Sequence, residues 1–136
     1  MDRVKTGIPG LDEIIQGGFP KGRTVLVSGA CGTGKSIFCM QYLVNGIMQS
    51  KEPGVFVSFD EIPEKIRQDM MNFGWDLKTM EEKGMLAIVD ASSAKGGVPS
   101  DEEYALLPTE MDFDNVLIDI LSVARKIGAK RLVIDS

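Results

Sequence analysis

Eight consecutive residues in the first third of the chain have the types and spacing needed to hold a phosphate group. They are Gly29, Ala30, Cys31, Gly32, Thr33, Gly34, Lys35 and Ser36, and they match the pattern G-x-x-x-x-G-K-[ST]. Glycines allow successive backbone N–H groups to turn toward one anion, and the helix that follows directs the positive end of its dipole to the same point. Lys35 would contribute an ammonium charge to the terminal phosphates, and the Ser36 hydroxyl would bind magnesium. A chance match in a glycine-rich turn is the alternative, which the strand and helix patterns on either side disfavour.

Two acidic segments supply the carboxylates that magnesium-dependent phosphate chemistry requires. RLVIDS ends an apolar run with Asp135, whose carboxylate would hold magnesium through water, as in a Walker B segment. VFVSFDE places Asp60 and Glu61 after another apolar run, where one of them would orient or deprotonate the attacking water. The structural alternatives are that Asp135 caps a turn and that Asp60 or Glu61 caps the next helix.

Short apolar runs alternate with helical patterns and would position these residues. Strands are predicted at Thr24–Ser28, Gly54–Phe59, Met85–Asp90 and Arg131–Asp135. Helices are predicted at Ser36–Gln49, at Glu64–Phe73 after Pro63, at Leu77–Lys83 after the cap Asp76, and at Phe113–Ile127 between the cap Asp112 and Gly128. The first of these helices is apolar on almost all sides, and Ala91–Met111 is a predicted surface loop. The alternation is typical of a parallel sheet covered on both faces, which is an α/β fold.

Composition limits the classes of protein to consider. The chain has 136 residues, of which 43% are hydrophobic, so we expect one domain over residues 1–136 and no intrinsic disorder. A net charge of −5 argues against binding nucleic acid through overall positive charge, although a local basic patch would still be compatible with it. The basic residues Arg125, Lys126, Lys130 and Arg131 are expected on a solvated surface. Two cysteines form no disulfide framework, and neither a signal peptide nor a membrane span is visible, so a cytoplasmic protein is expected.

Beyond these local patterns, several segments of the chain, taken in order, resemble those of a known protein family. They are KTGIPGLDEIIQGGFPKGRTVLVSGACGTGKS, GVFVSFDE, GWDL, MLAIVDAS and RLVIDS. Together they resemble the N-terminal part of a KaiC-type domain in the RecA superfamily of ATPases. The segment TGIPGLDEIIQGGFPKG is the most discriminating part, because phosphate loops in general do not need it.

The resemblance implies a RecA-like fold with three layers, αβα, and binding of ATP with Mg²⁺. It also implies a homo-oligomeric ring, usually a hexamer, with the nucleotide at subunit boundaries. By position, Asp60 and Glu61 match the paired catalytic glutamates, Lys35 and Ser36 the phosphate and magnesium ligands, and Asp135 the Walker B acid. Two residues depart from the family pattern: Asp60 is one methylene shorter than glutamate, and Cys31 stands where small or proline-like residues are usual.

Family domains continue beyond the Walker B strand, so the chain is expected to be a truncated piece of a longer protein. Thr24–Ser28 would then lack neighbouring strands, because the strands beside it in RecA-type sheets follow the Walker B segment. Two hypotheses are that the chain borrows strands from a second copy and that its sheet pairs in another order. Finding Thr24–Ser28 beside Arg131–Asp135 would contradict the simple family transfer.

Three functions are compatible with these residues. The first is ATP hydrolysis coupled to ring rearrangement or to signalling through a protein partner. The second is a nucleotide-gated assembly module with little turnover, which the shorter Asp60 side chain allows. The third is a RadA-like ATPase of DNA recombination or repair, which the acidic charge balance disfavours.

Overall fold

The computed structural model describes residues 2–92 and 113–135 of the chain. Two short strands, β1 (Arg3–Val4) and β2 (Phe19–Pro20), pair antiparallel on either side of α1 (Leu11–Ile14). The remaining elements are α2 (Lys35–Ser50), β3 (Gly54–Ser58), α3 (Pro63–Met71), α4 (Leu77–Glu82), β4 (Leu86–Asp90), α5 (Phe113–Ile127) and β5 (Arg131–Asp135). None of the helices within this part of the chain is long and apolar enough to cross a membrane.

The main sheet contains three parallel strands in the order β4-β3-β5. Every residue of β3 and β4 is buried, as expected for a parallel sheet with helices on both faces. The register places Ser58 opposite both Asp90 and Asp135, so the three strands end level with one another. The predicted α/β class is confirmed.

Two apolar clusters form the core, one on each face of this sheet. On one face, α2 packs Met40 and Leu43 against Phe56, and α3 and α4 extend the same cluster. On the other face, α5 packs Ile120 against Val55 and Val57. The chain therefore has the predicted three layers, helix, sheet and helix, within the described residues.

The predicted helix ends agree with the structure to within a few residues. Pro63 is the first residue of α3, and the Asp76 carboxylate caps α4 by accepting a hydrogen bond from Thr79 N at 3.2 Å. Gly74 and Gly84 follow α3 and α4 with φ angles of 77° and 71°, which glycine adopts without a steric cost. The predicted cap Asp112 and all but the first two residues of the predicted loop Ala91–Met111 lie outside the described residues.

The prediction of a strand at Thr24–Ser28 is wrong. Residues 23–30 form no ladder with any other described residue, and Val25 and Leu26 are 42% and 88% exposed. A β-branched segment becomes a strand only when neighbouring strands take up its N–H and C=O groups. The expectation that this segment lacks neighbours, and that it does not pair with Arg131–Asp135, is confirmed.

The α2 helix is buried on one face, not on all sides as its composition suggests. Met40, Leu43 and Val44 are buried against the sheet, whereas Ile37 and Met48 are exposed. The side chains of β5 divide in the same way, with Val133 in the core and Leu132 and Ile134 exposed. Apolar composition does not by itself show which faces find a partner.

The expectation of a solvated surface is wrong for Arg131 and correct for Arg125, Lys126 and Lys130, which are exposed. The Arg131 guanidinium is buried, and it donates to Tyr42 O at 3.0 Å, to Lys5 O at 2.6 Å and to a Glu52 carboxylate oxygen at 2.9 Å. It also lies 4.5 Å from the centre of the Tyr42 ring. Arg131 therefore joins the N-terminal segment, α2 and β5.

The N-terminal segment has its own polar centre at Asp12. Its carboxylate accepts hydrogen bonds from Thr6 N at 3.0 Å, from Thr6 Oγ1 at 2.7 Å and from Gly7 N at 3.3 Å. Burial opposes ionisation of this carboxyl, but the hydrogen bonds from Thr6 and Gly7 together leave the pKa of Asp12 below its ordinary value. Asp12 therefore stabilises the fold above its unfolded pKa, and this contribution is lost as the pH falls through the lowered value.

We expect Asp12→Asn to lower the free energy of unfolding by about 1 kcal/mol at about pH 7. At about pH 3 the difference from the wild type should shrink, because the wild-type carboxyl is then becoming protonated. Urea unfolding at the two pH values measures both quantities, with Glu13→Gln at an exposed position as the control. A destabilisation that is the same at both pH values would contradict this role of the Asp12 charge.

Candidate nucleotide site

The candidate site lies at the carboxyl edge of the parallel sheet, where α/β folds bind their ligands. The strands β3 and β5 end side by side at Ser58 and Asp135. The next residue after β3, Phe59, donates its N–H to Asp135 O at 3.0 Å. Asp60 and Glu61 follow in a bend, so the predicted carboxylates all lie at this edge.

The segment Gly29–Gly34 forms an exposed loop that leads directly into α2. Thr33 folds back on the loop by donating its N–H and its hydroxyl to Ala30 O, at 3.3 and 2.7 Å. Gly32 and Gly34 have φ angles of 82° and 92°, and a Cβ added at either position would meet no atom within 4 Å. The backbone at these two glycines is therefore open to the close approach of an anion.

The positive end of the α2 helix dipole is not compensated by a neighbouring side chain of its first turn. Gly34 is the N-cap residue, and in the described chain α2 has neither a side-chain cap nor an acidic residue in its first turn. Its first N–H groups therefore receive no intrahelical or side-chain acceptor, which suits a phosphate oxygen. Lys35 Nζ donates to Gly29 O at 2.5 Å and to Ala30 O at 3.4 Å, so its ammonium group lies against the loop.

Ser36 and Asp135 meet although they are far apart in the sequence. The Ser36 hydroxyl donates to Asp135 Oδ2 at 2.6 Å, which joins the start of α2 to the end of β5. A hydroxyl and a carboxylate are oxygen donors of the kind that Mg²⁺ binds, so these two residues fit a magnesium site. The structural alternative, Asp135 as a cap of a turn, does not account for this contact.

Cys39 lies one turn after Ser36 on α2. Burial raises the pKa of the Cys39 thiol, and the Asp135 carboxylate raises it further. The thiol is therefore held in its protonated form, which is a poor metal ligand. The oxygen atoms of Ser36 and Asp135 are therefore better candidate metal ligands than the Cys39 thiol.

The two acidic residues after β3, Asp60 and Glu61, lie just before the start of α3. The N-cap of α3 is Ile62, and the helix has no side-chain cap hydrogen bond. Glu61 forms an ion pair with Lys65 at 3.6 Å, with about half of each side chain exposed. Neither residue occupies the N-cap position of α3, and a catalytic role for Asp60 and Glu61 stays a prediction.

One residue of this edge, Ser58, was missed by the sequence interpretation, which treated it only as part of a strand. Ser58 is buried, and its hydroxyl donates to Glu61 O at 2.6 Å. A signal was available in the sequence, since a hydroxyl residue ending an otherwise apolar strand often bonds to the backbone of the turn that follows.

Comparisons with known proteins agree with this arrangement. A family model described as an ATPase, KaiC, matches residues 4–136. The chain is 47% identical to a UPF0273 protein of Methanocaldococcus jannaschii, covering 100% of this chain and 56% of the relative. It is 45% identical to the circadian clock oscillator protein KaiC of Parathermosynechococcus lividus, covering 98% of this chain and 24% of that protein.

A solved structure also shows similarity to a KaiC-like protein. The KaiC-like protein from Pyrococcus horikoshii OT3 matches with a TM-score of 0.81 and 43% sequence identity, covering 98% of this chain and 53% of that one. The fold is thus that of a KaiC-like, RecA-type domain, as the sequence predicts. The chain spans about half the length of the archaeal relatives it matches. The matched segment, the fold and the sheet-edge residues together show that the chain belongs to the KaiC family of ATPases.

Proposed function

We propose that this protein binds ATP with Mg²⁺ at the loop Gly29–Ser36 and hydrolyses it. The observation that carries the proposal is the 2.6 Å contact between Ser36 and Asp135, which are 99 positions apart in the sequence. Only a folded sheet edge brings the hydroxyl of the phosphate loop to the Walker B carboxylate. Membership of a family of ATPases supports the same activity.

Each residue of the site has a role that follows from its chemistry. The open backbone at Gly32 and Gly34 would accept the phosphate oxygens, and Lys35 would exchange its bonds to the loop carbonyls for stronger, charge-assisted bonds to phosphate. Ser36 and Asp135 would hold Mg²⁺. When bound, the metal would neutralise charge that develops on the phosphates.

Asp60 and Glu61 would orient or deprotonate the attacking water. Their position beside the end of β5 supports this role, since Phe59 is bonded to Asp135 O. We expect the double variant Asp60→Asn/Glu61→Gln to lower the rate of phosphate release about 100-fold while ATP binding remains. Steady-state phosphate release and calorimetric titration with ATP measure the two effects, and single variants apportion the loss.

Glu64→Gln is the matched control, because Glu64 is an exposed carboxylate in the first turn of α3. It should leave the rate unchanged. A double variant that releases phosphate as fast as the wild type would contradict hydrolysis by these carboxylates.

A nucleotide-gated assembly module is the second candidate, and the shorter side chain of Asp60 favours it. A wild type that binds ATP but releases phosphate no faster than the double variant would support this candidate. In either case we propose that the protein acts in a ring of identical subunits, by analogy with the family, and that it signals to a protein partner. Sedimentation with and without ATP tests the assembly.

A further inference from the structure

Ser58 ends β3 in a rigid setting. It is 3% exposed, and its carbonyl oxygen accepts a hydrogen bond from Ala91 N at 2.8 Å, just after β4. On the other side of the strand, the following N–H, that of Phe59, donates to Asp135 O at 3.0 Å. The end of β3 is therefore fixed by both neighbouring strands.

The Ser58 side chain extends this fixed point across the turn. Its hydroxyl donates to Glu61 O at 2.6 Å, which closes a short loop of backbone around Asp60 and Glu61. The helix that begins after this loop has no side-chain cap of its own. A hydroxyl buried at an otherwise apolar strand end is costly without a hydrogen-bond partner, so folding favours this closed form of the turn.

We propose that Ser58 is a positioning residue for the two candidate carboxylates, a role that rests on the proposed ATP hydrolysis. Its hydroxyl holds the backbone of the turn so that Asp60 and Glu61 keep their places relative to Asp135. Activation of water depends on such placement, because small displacements of a catalytic group cause large losses of rate. Binding of the phosphates depends on the separate loop Gly29–Ser36 and does not need this hydroxyl.

Ser58→Ala tests the proposal directly. We expect a kcat for ATP hydrolysis about tenfold lower, with the KM and the calorimetric Kd for ATP unchanged. Independently of activity, hydrogen exchange of the Lys65 and Ile66 amides, which are bonded to Ile62 O at the end of this turn, should become faster. Ser58→Thr, which restores a hydroxyl, should recover both the rate and the slow exchange.

Ser92→Ala is the matched control. The Ser92 hydroxyl also lies at the carboxyl edge, where it donates to Asp90 Oδ1 at 2.5 Å rather than to the turn after β3. Its loss should change neither kcat nor hydrogen exchange of the Lys65 and Ile66 amides. If Ser58→Thr lowers the thermal unfolding midpoint, the proposal is tested instead by comparing kcat and amide exchange between Ser58→Ala and Ser92→Ala.

Three results would overturn the inference. The first is a Ser58→Ala variant with the wild-type kcat and wild-type exchange, while the wild type itself hydrolyses ATP. The second is a loss of kcat matched by an equal loss of ATP affinity and a lower unfolding midpoint, which indicates a general structural role. The third is a wild type that binds ATP without releasing phosphate, which removes the proposed hydrolysis as well and so is distinct from the first two.

Discussion

Replacing Lys35 with alanine should lower kcat/KM for ATP by about 10³-fold, since removing one preorganised group that stabilises transition-state charge has effects of this size. In the structure the ammonium group lies against Gly29 O and Ala30 O, inside the loop that would surround the phosphates. Alanine removes the charge and leaves the backbone of the loop and α2 intact. Steady-state phosphate release over a range of ATP concentrations gives the ratio.

Lys78→Ala is the control for the loss of a positive charge. Lys78 is exposed on α4 and is not one of the proposed site residues, so its replacement should leave kcat/KM unchanged. Equal values of kcat/KM in the wild type and in Lys35→Ala would show that phosphate release does not come from this site.

Arg131→Met should destabilise the fold by about 3 kcal/mol, because it removes a buried guanidinium that bonds two backbone carbonyls and the partly exposed Glu52 carboxylate. The substitution leaves Glu52, Tyr42 O and Lys5 O without their donor. Methionine fills much of the same volume, so the effect reports lost polar contacts more than a cavity. Urea unfolding measures the change in free energy.

Arg125→Met is the control, since Arg125 is exposed near the end of α5. Its replacement should change the free energy of unfolding by less than about 0.5 kcal/mol. An equally small effect of Arg131→Met would contradict the structural role of the buried guanidinium.

The position of Arg131 also bears on the site. It lies at the first residue of β5 and contacts Tyr42 on α2, while Asp135 at the last residue of β5 contacts Ser36 at the start of α2. The strand β5 is thus joined to α2 at both ends of the strand. This pairing fixes the start of α2, and with it the candidate phosphate loop, relative to Asp135.

The candidate phosphate loop and its candidate acidic partners could be proposed from the sequence because their signals are local. The spacing of Gly29, Gly34 and Lys35 depends on a few neighbouring residues, and the helix ends follow from Pro63 and Asp76. The parallel sheet follows from alternating strands and helices. The contact between Ser36 and Asp135 could be expected although they are far apart in the sequence, because a P-loop serine and a Walker B aspartate both help to hold Mg²⁺.

The incorrect predictions concern properties that depend on neighbours in space. Thr24–Ser28 has the composition of a strand, but the composition does not supply the adjacent strands that a ladder needs. Arg131 has the charge of a surface residue, and its burial depends on acceptors from α2 and the N-terminal segment, which no local pattern shows. The hydrogen bond from Ser58 to Glu61 O likewise depends on a turn geometry that the correctly predicted strand pattern does not encode.

Calorimetric titration of the intact protein with ATP, with and without Mg²⁺, tests the central claim most directly. The loop Gly29–Ser36 and Asp135 predict saturable binding that strengthens when Mg²⁺ is added, and a Lys35→Ala variant that binds much more weakly. Absence of heat from binding in the wild type, or equal affinity in the variant, would contradict a nucleotide site at this sheet edge.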